Sequence, residues 1–458
     1  MTAPRALPPG PLIAFYGDDF TGSSASMEAT AFAGLETVLF LSPPTPERLR
    51  AFAGARVIGI AGVARAQSPQ WMDDNLPPVF DLLAATGAPV VHYKVCSTFD
   101  SAPHIGSIGR AIEIAARRFD GWTPMIVADP GMGRYQASGN LFAAVRGAVH
   151  RLDRHPTMSR HPVTPMDEAD LGRHLARQTS RKIGLVDFVA MKRGEADMRL
   201  AQELAAGAQI VSIDVLDQET LVEAGRLVWE RHGGARPLFG VGSQGFEAAL
   251  VAYWQDAALV PAPRSAFHAR PADRIACVSG SVSPVTAAQI AHARDNGFAT
   301  IALDAARAVD AAEWSKEVGR AVDTALAVLG AGKDALVYSA AGPDDPAVAS
   351  LKAAIASTGA SPEAVNERIG ASLGTILDRV LTTSGLTRAV ISGGDTSGRA
   401  AMMLGIDALT AIAPLSPGAP LCRAHAARPD RDGLEIALKG GQVGLADFFV
   451  AAKRGGSA

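Results

Sequence analysis

Cysteine is scarce in this chain, and its placement excludes two chemistries at once. The 458 residues hold three cysteines, Cys96, Cys277 and Cys422, odd in number and far apart. Neither a disulfide framework nor a CxxC metal pair can be drawn from them, so buried inert thiols in a reducing compartment are expected. An excess of one charge is lacking too. Lys and Arg number 43 against 46 Asp and Glu, for a net charge of −3 with no long run of one sign. That leaves no electrostatic footprint for nucleic acid or an anionic membrane. Apolar runs long enough to span a bilayer are missing, as are metal-binding spacings such as HExxH and, in residues 1–11, a charged-then-apolar signal pattern. A cytoplasmic protein without nucleic-acid or membrane partners is the expectation.

What is present points to a large folded core. Hydrophobic residues make up 48% and charged residues 19% of the chain, and glycine is plentiful at 46. Short runs apolar on both faces recur at residues 12–16, 37–41, 57–61, 90–95 and 125–128, with helical stretches such as 24–32 and 105–118 between them. Such alternation predicts parallel strands covered by helices. A helix is expected over 167–178, strands over 183–186 and 210–214, and a helix over 219–231. Strand 238–241 and helix 246–254 follow. Residues 260–274 hold three prolines and little periodicity, which reads as a linker. Beyond it the alternation restarts, with strands at 275–278, 300–303, 335–338 and 389–392, a polar loop at 422–433 and a late strand at 435–438. The fold class is therefore α/β in two domains, each a mostly parallel sheet flanked by helices. The boundaries are a disordered lead at 1–11, a first domain at 12–259, the linker, and a second domain at 275–458. The site is expected in the cleft between the domains.

Three strand ends in the second half carry glycine. The first holds Ser279, Ser281 and Ser283 before Pro284; serine suits an N-cap and proline the first helical position, so free N–H groups gather where an anion would bind. The second runs Gly393, Gly394, Asp395, Thr396, Ser397, Gly398, ahead of a helix expected over 399–405. Its glycines admit a ligand to the backbone, its hydroxyls are donors, and Asp395 could ligate a phosphate-bound Mg²⁺ or simply cap the helix. The third holds Lys439, Gly440, Gly441 and Gly444. Ligands in open α/β sheets lie beyond the carboxyl ends of strands, so the three turns suit one crevice.

The first half places Asp18 and Asp19 after its first strand. Carboxylates there suit substrate hydroxyls and can take a proton, although turn and cap chemistry would use the same residues. Lys94, inside an apolar strand, needs an anionic partner, either Asp18 or Asp19 or a bound carboxylate. Ser97 and Thr98 follow it, and Arg134 after the strand at 125–128 offers a carboxylate fork. The basic stretch 151–161, with His155 and His161, reads as loop residues or substrate contacts. Gly240, Gly242 and Gly245 match GxGxxG, but no acid stands where a ribose would need it, so a tight turn is expected rather than a nicotinamide site.

Taken together, GDDFTGS at 17–23, YKVCST at 93–98, GR at 133–134, HPVTPM at 161–166, GSQG at 242–245, SGSVSPVTAAQI at 279–290, SGGDTSG at 392–398 and LKGGQVG at 438–444 resemble the four-carbon acid sugar kinase family along nearly the whole chain. The resemblance implies an N-terminal domain for a small sugar acid and a C-terminal domain for ATP, with ATP contacts near Ser281, on Gly393 to Thr396 and on Gly441. On that reading Mg²⁺ with ATP is expected on Asp395, the acid against Asp18, Asp19, Lys94, Ser97, Thr98 and Arg134, and Asp18 or Asp19 to accept the hydroxyl proton. An oxidoreductase using Gly240 to Gly245 and a non-catalytic sugar-acid-binding protein are the competing readings. Where family members usually carry Asp-Ser-Thr-Leu-Arg-Gly, this chain has Cys96-Ser97-Thr98-Phe99-Asp100-Ser101. Exchanging a cation for Asp100 implies a different acid, and the variant resembles the branch that includes 3-oxoisoapionate kinases. A homodimer is expected of such an enzyme.

Overall fold

Apolar runs become interior parallel strands where helices cover both faces, and the N-terminal half shows this directly. In the computed structural model, residues 6–145, 147–232, 236–261 and 267–456 are described, apart from the side chains of residues 395–397 and 399. The chain divides into two units, Met1–Ser265 and Ala266–Ala458. Residues 1–5 of the expected lead and 262–266 of the expected linker lie outside the described residues. Pro8 and Gly10 accept hydrogen bonds from the Arg56 guanidinium.

The strands of the first unit are β1 (Ile13–Gly17), β2 (Thr37–Phe40), β3 (Val57–Ala61), β4 (Val90–Lys94), β5 (Thr123–Ile126), β6 (Arg134–Ala137), β7 (Asn140–Val145), β8 (Ala148–Arg151), β9 (Ile183–Val186), β10 (Ile210–Ile213) and β11 (Leu238–Gly242). Its helices are α1 (Phe20–Ala31), α2 (Pro46–Arg50), α3 (Pro69–Ala85), α4 (Ile108–Ala115), α5 (Leu171–Leu175), α6 (Phe188–Lys192), α7 (Ala196–Ala205), α8 (Gln218–Arg231) and α9 (Gly245–Asp256). The main sheet is wholly parallel, in the order β2-β3-β1-β4-β11-β5-β10-β9. From β1 the chain builds first toward β3 and β2, then crosses to β4 on the other side. The carboxyl ends of β1 and β4 therefore flank a topological switch point, where α/β sheets open a crevice.

Two expectations need correcting here. The helix expected over 167–178 is only Leu171–Leu175, capped by Asp170; the Met166 N–H bonds back to Met158 O, which holds the preceding chain in a loop. Residues 134–151, not foreseen as sheet, form the antiparallel ribbon β6-β7-β8. Its first turn is Ser138-Gly139, with φ of 48° and 78°, the two-residue geometry that matches strand twist.

The glycines of the GxGxxG match answer to packing. A Cβ on Gly242 would lie 1.8 Å from Ile126 O, one on Gly245 2.1 Å from Ala128 O, and one on Gly240 2.3 Å from the Phe246 ring. Glu247 is fully buried, with Oε1 2.6 Å from His92 Nδ1 and Oε2 3.0 Å from Ser26 Oγ. Glu247 is thus not presented to a ribose, which counts against the nicotinamide reading. Gly242→Ala should lower unfolding stability by about 1–3 kcal/mol through overpacking; an unchanged urea midpoint would count against this account.

The second unit contains β12 (Ala276–Ser279), α10 (Pro284–Asp295), β13 (Ala299–Ala302), α11 (Ala311–Gly330), β14 (Ala335–Tyr338), α12 (Pro346–Thr358), α13 (Pro362–Ser384), β15 (Arg388–Ser392), α14 (Gly394–Met403), β16 (Ile406–Ala413), β17 (Leu421–Ala426), β18 (Glu435–Lys439) and α15 (Phe448–Arg454). Strands β13-β14-β12-β15-β18 are parallel, and β17 and β16 continue antiparallel beyond β18. β17 replaces the first part of the loop expected over 422–433, because alternate residues of Leu421–Ala426 are buried. Again the first strand is central: β12 sits between β14 and β15, so its end and that of β15 flank a second switch point.

Candidate active-site residues

β1 ends in Gly17 because only glycine tolerates Ser23 there; a Cβ would lie 1.9 Å from Ser23 Oγ. Asp18 follows, tied to the neighbouring strand by its N–H on Lys94 O at 2.9 Å, and is 3% exposed. Asp19 caps α1, accepting the Gly22 N–H at 2.9 Å. Arg65, just past the end of β3, joins both acids. Its Nη2 lies 2.7 Å from Asp18 Oδ1 and 2.8 Å from Asp19 Oδ1, and its Nε 3.3 Å from Asp18 Oδ2. Lys94 is buried, with Nζ 3.6 Å from Asp19 Oδ1. The anionic partner it required is therefore in the unit itself. Gly22 makes room for that ammonium: a Cβ there would lie 1.6 Å from Lys94 Nζ.

The loop after β4 adds Cys96, Ser97, Thr98 and Asp100. Thr98 donates to Asp100 Oδ1 at 2.6 Å, and Cys96 Sγ lies 3.0 Å from Thr98 Oγ1. Phe99 adopts φ 55°, a left-handed conformation uncommon for a bulky residue. Burial alone would raise Asp100, but Arg65 and the Cys96 and Thr98 hydrogen bonds hold it below its ordinary value. Asp19 follows the same logic: burial is outweighed by Arg65 and Lys94, and its carboxyl is held low. Asp18 goes the other way, pushed up by burial against the pull of Arg65. Burial and Asp100 push the Cys96 thiol up to about 11, so it stays neutral near pH 7.

Arg134 opens β6, and its Nη1 is held by the carbonyls of Met132, Gly133 and Ala144 at 3.2–3.3 Å. Ser97 is half-buried on the Cys96 loop. Of the residues singled out in the sequence, the structure brings Asp18, Asp19 and Lys94 together around Arg65, which the sequence reading did not single out. The same signal, a polar residue just past a strand's carboxyl end, was present in Arg65 but was not applied there.

In the second unit, backbone bonds knit the strand ends together: Ser339 N to Ser279 O, Gly280 N to Ser392 O, and Gly393 N to Lys439 O, at 2.9–3.0 Å. Ser283 caps α10, its Oγ accepting the Thr286 N–H at 3.0 Å and donating to Gly441 O. Thr286 Oγ1 lies 3.0 Å from both Ser281 Oγ and Gly441 O. Gly441 is a close approach: a Cβ there would lie 2.5 Å from Ser281 Oγ. Gly444, at φ 94°, packs under Phe448 and Gln289. Ser279 and Ser392 are register partners, and their buried hydroxyls lack partners among the described residues. Burial pushes Lys439 down to about 8; its Nζ is 3.0 Å from Gly440 O.

The second turn differs from expectation in one respect. Gly393, at φ 134°, is the N-cap, and the helix begins at Gly394 rather than at 399. Gly394 and Gly398 are thus helical, and the first-turn N–H groups of α14 face outward from a helix N-terminus, where an anion is favoured. The side chains of Asp395 and Thr396 lie outside the described residues. Among the described residues no cluster of three or more His, Cys, Asp or Glu side chains could hold a metal alone. Magnesium carried on nucleotide phosphates needs only one or two protein carboxylates.

Sequence reading missed a cavity beside the first of these turns. It encloses about 640 Å³ and is lined by Gly280, Val282, Val348, Leu351, Ile355 and Ile369 among others, with Lys352 and Asn366 adding polar groups. The size suits a nucleoside-scale ligand. One wall is α12, unforeseen because its Ala-rich sequence buries no residue and so shows no clear stripe. No described helix is long and apolar enough to cross a membrane.

Comparison with known proteins reaches both units. Residues 13–250 match the sugar-binding N-terminal domain family and residues 276–449 the nucleotide-binding C-terminal domain family. The chain is 51% identical over 455 residues to the 3-oxo-isoapionate kinase of Paraburkholderia graminis, covering 99% of this chain and 96% of that protein. It is 33% identical to the 3-oxo-tetronate kinase of Burkholderia multivorans, covering 97% of each. A solved structure from Salmonella typhimurium LT2, provisionally labelled a tRNA synthase, superposes with a TM-score of 0.79 at 25% identity, over 96% of this chain and 98% of that one. With a sugar-binding domain ahead of a nucleotide-binding domain and kinases among its relatives, the chain belongs to the four-carbon acid sugar kinase family.

Proposed function

We propose that this enzyme transfers the γ-phosphoryl group of ATP to a hydroxyl of 3-oxo-isoapionate. The observation that carries the substrate is the 51% identity, across nearly the whole chain, to a 3-oxo-isoapionate kinase. The departure at Cys96 and Asp100 from the usual family pattern supports the same branch.

ATP sits with its base and ribose in the cavity between α12 and α13. Its phosphates lie on the turns of Ser279, Ser281 and Ser283, of Gly393, Gly394, Thr396 and Gly398, and of Gly440, Gly441 and Gly444. A Mg²⁺ ion held by Asp395 would neutralise developing charge on the phosphates. The acid lies along Asp18, Asp19, Ser97, Thr98 and Arg134, with Lys94 fixing Asp19. Carboxylates accept hydrogen bonds from sugar hydroxyls and so orient the nucleophile. The hydroxyl oxygen forms the new bond to the γ-phosphorus as the bond to the β–γ bridging oxygen breaks. ADP leaves, and the hydroxyl proton passes to Asp18 or Asp19.

The test is ADP release by a coupled assay over a panel of 3-oxo-isoapionate, 3-oxo-tetronates, threonate and erythronate. The expected result is the highest kcat/KM with 3-oxo-isoapionate, by about tenfold or more, which corresponds to roughly 1.4 kcal/mol of discrimination. Equal or better turnover of a tetronate would overturn the substrate assignment, and no turnover of any acid would overturn the kinase reading.

A further inference from the structure

The acid-binding residues around Asp19 have a charge imbalance. Asp18, Asp19 and Asp100 face Arg65 and Lys94, three carboxylates against two cations within one cluster. A substrate carboxylate placed there would meet surplus negative charge. It belongs where a cation keeps donors that no acid takes up.

Such a place exists on the β6-β7-β8 ribbon. Arg134 pairs with Ala143 across β6 and β7, and Ala143 pairs with His150 across β7 and β8. Residues directly opposite in antiparallel strands share a face, so Arg134 and His150 flank the small Ala143 on one side. The ring of His155 lies 6.0 Å from that of His150. Arg134 spends Nη1 on three carbonyls, while its Nε is buried without a partner and Nη2 makes no bond among the described residues. Asp129 acts on Arg134 only through space, its own carboxylate being bonded to Gly131 N and Gln244 Nε2. Cations in such settings are ordinarily paired, and an orphaned donor calls for an explanation such as an absent ligand.

His155 is 5% exposed, and its state is set by the backbone. Nδ1 accepts the N–H groups of Thr157 and Met158, both at 3.2 Å. An atom accepting two hydrogen bonds carries no proton, so the proton is on Nε2, which bonds to nothing among the described residues. Burial, with Arg134 and His150 nearby, holds the ring below its ordinary basicity, in keeping with a neutral imidazole.

We propose that Arg134 and His155 form the seat of the sugar acid's carboxylate, Arg134 supplying charge and the Nε2–H of His155 a fixed neutral donor. This rests on the kinase reading above and adds a substrate-positioning residue to it. His155 lies outside every motif that carried the family resemblance.

Two substitutions separate this role from the turn that His155 also stabilises. In His155→Asn the side-chain oxygen can still accept the N–H groups two and three residues on, as asparagine does in turns, but nothing replaces Nε2–H. Its KM for the acid should rise about 10- to 100-fold, the loss of one hydrogen bond to a charged group, with KM for ATP and Tm near those of the unaltered enzyme. In His155→Gln the amide reaches the Nε2 position but forfeits the turn. Its Tm should fall while the acid KM stays within about threefold of the starting value. An unchanged acid KM in His155→Asn overturns the proposal, as does a rise in His155→Gln equal to that in His155→Asn, because the ring would then act only through the turn. If the unaltered enzyme turned over no sugar acid, the underlying kinase reading would fail, and this seat with it.

Discussion

Arg65→Met is expected to cost about 3–5 kcal/mol of stability near neutral pH and to lower kcat/KM by about 100-fold or more. Among the described residues Arg65 is the one side chain that bonds Asp18 and Asp19 together, and its charge also holds Asp100 low. Methionine keeps much of the volume and removes the cation. Asp18, 3% exposed, would then be a buried carboxylate without its fork, and the acids proposed to orient the substrate would swing apart. Chemical denaturation and ADP release read the two losses separately.

The pH dependence has a definite sign. Asp19 and Asp100 are held below the ordinary 3.8, so their contribution is fully present above that value and fades as pH falls through their lowered values. The stability gap between Arg65→Met and the unaltered protein should therefore be widest near neutrality and narrow below about pH 4 as the carboxylates are protonated in both. A gap that is constant with pH would show that Arg65 acts through packing alone. Arg65→Lys should recover only part of the loss, because a point charge cannot fork across two carboxylates.

Gly441→Ala is expected to raise KM for ATP about 100-fold, with KM for the sugar acid unchanged. The new Cβ would lie 2.5 Å from Ser281 Oγ and so drive the first and third turns apart. The Ser283 bond to Gly441 O and the Thr286 contact at 3.0 Å go with them. Each charge-assisted bond to phosphate that is lost costs about 1.5–3 kcal/mol, or roughly 10- to 100-fold. Titration with a non-hydrolysable ATP analogue measures the same loss without catalysis. Unchanged ATP affinity would remove Gly441 from the nucleotide site. A loss matched by a collapse of Tm would instead assign it to folding.

Elements set by local preferences show in the sequence, and elements set by packing do not. Runs such as VIGIA at Val57–Ala61 were legible because a strand buried on both faces is apolar throughout. Ser283-Pro284 was legible as a helix start because the N-cap and first-turn preferences are local. The ribbon β6-β7-β8 was not, since its strands are only partly buried and mix polar with apolar residues. α12 was not, since nothing in it is buried. The GxGxxG match misleads when read by spacing alone; its glycines relieve contacts with Ile126, Ala128 and Phe246 that only the packed sheet creates.

By itself, the sequence determined the α/β class and placed Asp18, Asp19 and three glycine turns at strand ends, where the proposed function puts the sugar acid and ATP. These rest on periodicity, capping and turn preferences that act over a few residues. Tertiary structure alone decided which partners those residues have. Arg65 reaches Asp18 from 47 positions away because β3 lies beside β1. Gly441 meets Ser281 because β12, β15 and β18 are neighbours. His155 comes beside His150, on the face that Arg134 shares, because the ribbon folds back on itself. Charge compensation and hydrogen-bond direction depend on distances across strands, and no local pattern encodes them.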